Sequence, residues 1–323
     1  MEFFKNRQSY RFMAKSKYML FLSLSLMALS YFLLYAKGLN FGIDFAGGTL
    51  VQVKYEKEAP LSEIREKLSS DSIFDGASIT EFGSPNEIVI KVKTSSGNLS
   101  RDLGDVVFEK LSETGNFEIR RVDMVGAKVG GELREKGLTS LLLVMVGILI
   151  YVSFRFEWRF ALASIFALVH DISIALGALV LFQIEVNLDT LAALLTILGY
   201  SLNDTIIVFD RIREGLVKYK SVVLSSIIDE SVSSTLSRTT LTSLTTFFVV
   251  LTLYLFGGEI INGFSFTLLV GVVVGTYSSI FVASPTLIWF RFSVDGYRKM
   301  LAEKDKREKE KERLRAMYEG GRL

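Results

Sequence analysis

Two aspartates of this 323-residue chain stand inside apolar stretches, where a charge is expensive. Asp204 lies in LGYSLNDTIIVFDRIREG with Asn203 beside it, and Asp171 lies in VHDISIALGAL with His170 beside it. A carboxyl group cut off from water can take up and release a proton, or hold a hard cation such as Na+ among hydroxyl oxygens. On membrane-insertion scales a charge at a helix centre costs about 2.5–3.5 kcal/mol, and such groups commonly mark an ion or proton route. A third charge, Arg238, falls in STLSRTTLTSLTTF. In low dielectric an arginine level with an aspartate attracts it strongly, or alternates with a proton as its counter-charge. Asp204 therefore has two open readings: a proton carrier, or half of a structural pair that fixes helix packing.

Spacing gives each group a face. Ala163, Ala167, Asp171 and Ala175 recur every four residues, as do Ala192, Thr196, Tyr200 and Asp204, and a helix brings such positions to one side. Arg238, Thr242 and Thr246 share a face in the same way, which puts a hydroxyl stripe above the arginine. His170 reads as a satisfied interior histidine rather than a relay partner. Asp210 reads as a helix-end carboxylate that pairs locally with Arg211 or Arg213.

Six apolar runs must carry these groups: residues 18–36, 137–154, 160–182, 188–209, 235–256 and 264–290. A bilayer core of about 30 Å needs roughly 20 helical residues, so the fold class is a polytopic α-helical membrane protein with six spans. The fifth run is short unless it extends back through Arg238, which draws that residue into the membrane at about the depth of Asp204. The sixth carries Thr267, Gly271, Gly275, Ser279 and Ala283 every four residues, a small-residue face for close helix packing. Lys5, Arg7, Arg11, Lys15 and Lys17 precede the first run, and Arg155 with Arg159 separates the second from the third. Arg211, Arg213, Lys218 and Lys220 follow the fourth, and Arg291, Arg298 and Lys299 follow the sixth. The opposite loops, FQIEVNLD and GGEIIN, hold Glu185, Asp189 and Glu259 without Lys or Arg. The positive-inside rule then puts residues 1–17 and 291–323 in the cytoplasm and residues 37–136 outside, with the first span retained as an anchor.

Residues 37–136 alternate as strand, helix, two strands, helix and strand, which predicts an extracytoplasmic α+β domain of ferredoxin-like βαββαβ order. Gly42, Asp44, Gly47 and Gly48 in FGIDFAGGTL read as a structural joint to the first span. Gly126, Gly130 and Gly131 read as the joint to the second. The charged residues after 290 read as a solvated helical tail. Without cysteine, and with a single histidine, the chain has no disulfide, no thiolate metal site and no site needing two histidines. No GxSxG or HExxH motif is present, so the expectation is a non-enzyme without a metal or cofactor. The basic residues track the expected topology, which argues against nucleic-acid binding.

FGIDFAGGTL, VGAKVGGEL, VHDISIALGAL, LGYSLNDTIIVFDRIREG and STLSRTTLTSLTT, in this order, resemble the signature segments of the SecF family of bacterial protein-export membrane proteins. The resemblance covers nearly the whole chain and implies one half of a transporter of the resistance–nodulation–division (RND) superfamily. It implies a SecD partner completing a twelve-helix unit, the SecYEG translocon and YajC as further partners, and translocating preproteins as substrates. It also implies drive by the proton motive force, with H+ or else Na+ as the coupling ion, in the bacterial inner membrane. The family's intramembrane Asp and Arg map onto Asp204 and Arg238, with Asn203 and Asp171 beside them in the expected coupling set. Two alternatives remain: a scaffold subunit without ion coupling, and one half of an RND-type exporter of small molecules or lipids.

Overall fold

The computed structural model describes residues 10–93, 103–219 and 223–320. Lys5, Arg7 and Lys220, and residues 94–102 of the outer segment, lie outside them. Six helical stretches are long and apolar enough to cross a membrane. They are α1 (Ser16–Lys37), α5 (Ala127–Arg155), α6 (Trp158–Leu181), α7 (Leu188–Lys218), α8 (Leu224–Phe256) and α9 (Asn262–Ser278) with its continuation. That continuation is a π turn, Ser279–Ala283, followed by α10, Ser284–Trp289. α5 and α8 begin well ahead of their apolar runs, and α5 takes in Gly130 and Gly131, expected as a joint, as helical positions, with Gly130 packed closely against the backbone of Phe45 and Gly47.

α6, α7 and α9 form the interior of the bundle, with α1 and α5 leaning on α6 and α8 packed along α7 and α9. Small residues set the approach distances. A Cβ on Gly271 would run into the side chain of Ile197, and one on Gly275 would lie 3.0 Å from the Ser201 Cβ, so α9 is seated on α7 through these two positions. Ser279 is buried in the π turn, where the every-fourth-residue register breaks, and its hydroxyl donates to the Thr276 carbonyl of its own helix. Gly177, which spacing alone does not single out, lets α1 approach α6 against Ser30. The outward faces of the bundle carry Phe21, Leu143, Phe248 and Phe256, apolar surface suited to lipid.

Between α1 and α5 lies the short α2 (Ile43–Ala46), followed by β1 (Gly48–Tyr55), α3 (Leu61–Ser69), β2 (Ser78–Phe82), β3 (Ser84–Lys93), α4 (Leu103–Leu111) and β4 (Phe117–Val125). The antiparallel sheet has the order β2-β3-β1-β4, the ferredoxin-like arrangement. Val51, Val53, Ile88 and Ile90 point from one sheet face onto Ile64, Leu68, Val107 and Leu111 of the two helices and form a separate core. After the sixth span, α11 (Val294–Gly320) runs out as a charged helix.

The joint at α2 is built on backbone that only glycine accepts. Gly47 has φ +82°, and a Cβ there would stand 2.7 Å from Ala127 Cα at the start of α5. Gly83 has a similar φ of +76° in open space. Gly47→Ala is therefore expected to cost about 1–3 kcal/mol more than Gly83→Ala. Thermal unfolding of the two purified variants checks this, and equal midpoints would refute the close packing of the joint.

Candidate ion-coupling site

α7 positions the central carboxylate. Asn187 and Thr190 form a reciprocal cap at its start, with Thr190 N–H donating to Asn187 Oδ1 at 2.9 Å. Its buried side chains Ile197, Ser201, Asp204, Val208 and Ile212 face the bundle, so Asp204 is 1 % exposed while the adjacent Asn203 points outward and is exposed. The expected stripe of Ala192, Thr196, Tyr200 and Asp204 does not hold as one face. A four-residue step advances 40° beyond a full turn, and the row drifts from exposed Ala192 and Thr196 to buried Asp204.

Asp204 is poorly solvated by the protein. Its Oδ2 accepts from Ser243 Oγ at 3.3 Å, and Ser243 Oγ is in turn 2.7 Å from Thr276 Oγ1. Asp204 Oδ1 is buried without a hydrogen-bond partner among the described residues. So are Thr239 Oγ1, one turn from Ser243 on α8, and the hydroxyl of Tyr200, one turn from Asp204 on α7. The buried hydroxyl row of α8 is thus Thr235, Thr239 and Ser243, of which Ser243 reaches Asp204, while the expected stripe above Arg238, Thr242 and Thr246, donates to carbonyls of its own helix.

Arg238 lies at the expected level but on the outer side of α8. Counted from the helix ends nearest the sheet domain, Asp204 is ~24 Å along α7 and Arg238 ~27 Å along α8. The arginine is exposed and has no ion-pair partner among the described residues. At the helix end, Asp210 pairs with Arg213 at 3.3 Å, as expected, and also with Arg155 of α5 at 3.2 Å, while Arg211 turns to Glu214.

The second carboxylate is the opposite case. Asp171, 0 % exposed, receives hydrogen bonds from the side chains of three helices: His170 Nδ1 at 2.8 Å within α6, Ser201 Oγ of α7 at 2.5 Å, and Ser278 Oγ of α9 at 2.8 Å. The missing side chain at Gly275 admits Ser201 to this cluster. The serines carry no recognisable motif, and only helix pairing reveals them.

The joint expected at residues 42–48 is tied to the start of α7. Gly42 N–H donates to the Val186 carbonyl at 2.9 Å, and Val186 N–H donates to the Asn40 carbonyl at 2.8 Å. Asp44 Oδ2 accepts from Leu188 N–H at 3.0 Å, so it caps the first turn of α7. Lys91 of β3 pairs with Glu185 at 3.1 Å, and Lys93 reaches Asn40 at 2.7 Å. Among the described residues no group of three or more His, Asp or Glu side chains is placed to hold a metal ion.

Six spans around buried carboxylates, with a ferredoxin-like domain hinged to the spans on one side, define a polytopic membrane protein of transporter type. Residues 106–293 match the family model for the C-terminal region of SecD/SecF protein-export membrane proteins, and residues 32–59 match the SecD/SecF GG motif. The chain is 49 % identical over 323 residues to protein translocase subunit SecF of Helicobacter pylori J99, with 100 % of each covered. It is 46 % identical over 289 residues to that subunit of Calditerrivibrio nitroreducens, covering 88 % of this chain and 95 % of the relative. The crystal structure of SecDF, a translocon-associated membrane protein of Thermus thermophilus, superposes with a TM-score of 0.76 at 35 % identity, covering 90 % of this chain and 40 % of that one. The chain belongs to the SecD/SecF family of protein-export membrane proteins.

Removing the Asp44 cap is expected to cost about 0.5–2 kcal/mol in Asp44→Ala and much less in Asp44→Asn, which keeps an acceptor oxygen. Hydrogen exchange at the first turn of α7 measures it, and equal protection in the two variants would exclude the cap.

Proposed function

We propose that this chain is one half of a SecDF-type export motor, in which proton uptake and release at Asp204 drive movement of the outer domain and promote preprotein translocation and release. The observation that carries the reading is the solvation of Asp204: buried, with one 3.3 Å hydrogen bond and its other oxygen without a partner. A carboxylate stripped of water and not resolvated by donors is the one for which exchange of a proton is inexpensive. Each proton crossing the membrane releases about 2.3 kcal/mol per 100 mV, enough to bias a two-state helix arrangement. Na+ is the alternative ion, since Ser243, Thr239 and Thr276 offer only hard oxygens. The activity is transport, not catalysis.

The surroundings of Asp204 are completed from outside the chain. An exposed arginine and an exposed asparagine on membrane helices need a polar neighbour, and a SecD-type subunit meeting α7 and α8 supplies one. SecYEG and YajC are the further partners of this reading, and a translocating preprotein is the substrate. The basic residues Lys15, Lys17, Arg155, Arg159, Arg211 and Arg213 gather at the bundle end opposite the sheet domain. This supports an inner-membrane topology with both termini cytoplasmic and residues 37–136 outside.

In cells lacking the protein, Asp204→Asn at wild-type membrane level is expected to assemble with the SecD-type partner yet fail to restore export of a secreted precursor. Full restoration would make Asp204 structural and favour a scaffold subunit. The absence of native cysteine permits a second test, because Asn203→Cys introduces a unique thiol. This thiol is expected to resist a membrane-permeant maleimide when the partner is co-expressed and to react when it is absent. Equal labelling would remove α7 from the proposed interface.

A further inference from the structure

The coupling step proposed at Asp204 does not draw on His170, and one atom of the His170–Asp171 pair has no partner among the described residues. Asp171 Oδ2 is occupied by the Ser201 and Ser278 hydroxyls, which leaves Oδ1 to His170 Nδ1 at 2.8 Å. A carboxylate that accepts all three hydrogen bonds requires the imidazole hydrogen on Nδ1. His170 Nε2 is then a bare lone pair, in a residue 0 % exposed, without a partner among the described residues. An interior histidine kept for packing alone finds partners for both nitrogens, so the expectation of a satisfied histidine holds for Nδ1 and fails for Nε2. With Nε2 empty the pair carries one negative charge in an apolar interior. A proton on Nε2 converts it to a neutral imidazolium–carboxylate pair with all three hydrogen bonds retained.

We propose that His170–Asp171 is a second proton-binding site of the coupling machinery, loaded at His170 Nε2. The inference rests on the reading of Asp204 as the coupling carboxyl and extends it to a neighbouring site on the same helices. Ser201, which holds Asp171, is one turn from Asp204 on α7. Thr276, linked to Asp204 through Ser243, lies two residues before Ser278 on α9. A proton at either site therefore alters the forces between the same pair of helices.

The groups on the elements packed around the dyad can be named. α7 brings Ser201 to Asp171, with Asp204 and Tyr200 the titratable groups nearest Ser201 along that helix. α9 brings Tyr277, whose ring centroid is 6.1 Å from that of His170 and whose hydroxyl donates to the Met19 carbonyl of α1. α1 brings Tyr31, bonded to Ser173 of α6 at 2.8 Å. α5 and α10 pack on α6 with apolar side chains such as Met145 and Leu287.

Because the chain has a single histidine, 15N-histidine labelling of the full-length protein, assembled with its unlabelled partner in lipid, reports this ring alone. Its imidazole signals are expected to pass from the neutral Nδ1–H tautomer to the doubly protonated ring on acidification over the range in which the assembly stays folded, in wild type and in Asp204→Asn alike. His170→Asn keeps a donor in the place of Nδ1 without a titratable nitrogen. It is expected to assemble normally, to lower export several-fold, and to flatten the pH dependence of export. A ring that holds one charge state across that range overturns the proposal, and so does a His170→Asn protein with wild-type export rate and pH profile. If Asp204→Asn restores export while His170 titrates and His170→Asn impairs export, the Asp204 reading falls and the dyad stands.

Discussion

The hydrogen bonds converging on Asp171 are the interaction from which the membrane half of this protein takes its geometry. A carboxylate without access to water must be resolvated by side chains, and the donors come from α6, α7 and α9 at once. Leaving one donor out would strand a buried charge, a loss of about 1–3 kcal/mol or more, so the three helices are held in one register. The same requirement explains Gly275. A Cβ there would lie 3.0 Å from Ser201 Cβ, so a side chain would press on the residue that donates to Asp171. Once α7 and α9 are this close, Thr276 and Ser243 fall beside Asp204, and the poorly solvated carboxylate is a product of the well-solvated one's packing.

What happens at Asp204 has a mechanical route outward. α7 is one continuous helix from the level of Asp204 to Leu188, where its first turn is capped by Asp44 of the joint. Gly47, held against Ala127 with no room for a side chain, ties that joint to α5. Lys91 and Lys93 then fix the sheet to the loop before α7 and to the linker after α1. A tilt of α7 is therefore delivered to the outer domain through short, specific contacts rather than through a slack linker, as the proposed motor requires.

The parts legible in the sequence were those that depend on one helix or one strand at a time. Apolar length gave six spans, alternation and turn residues gave the βαββαβ order, and the isolation of Asp171 and Asp204 among apolar neighbours marked them as buried. The parts that stayed hidden depend on pairs of elements. Ser201, Ser243 and Ser278 are ordinary small polar residues until α7, α8 and α9 are packed together. Every-fourth-residue counting from Arg238 followed the wrong row of α8, because Thr239 and Thr242 lie about 60° apart around the helix and spacing alone does not say which of them faces inward. It also treated His170 as satisfied, since sequence spacing says nothing about which of two ring nitrogens meets a partner.

The placement of Arg238 completes the logic of a half-site. Depth arithmetic along α7 and α8 puts the arginine near the level of Asp204. Yet α8 turns it to the outer surface, where it makes no ion pair among the described residues. A guanidinium never sheds its charge, so on a membrane helix it is tolerable only against a polar neighbour or at the interface. Asn203 shows the same outward placement on α7. Both groups that flank the buried carboxylate thus look away from this chain, towards the surface where the proposed partner would sit. In that arrangement, docking of the partner changes the field at Asp204 directly. The charge state of the carboxyl and the fit of the two subunits then become one coupled equilibrium.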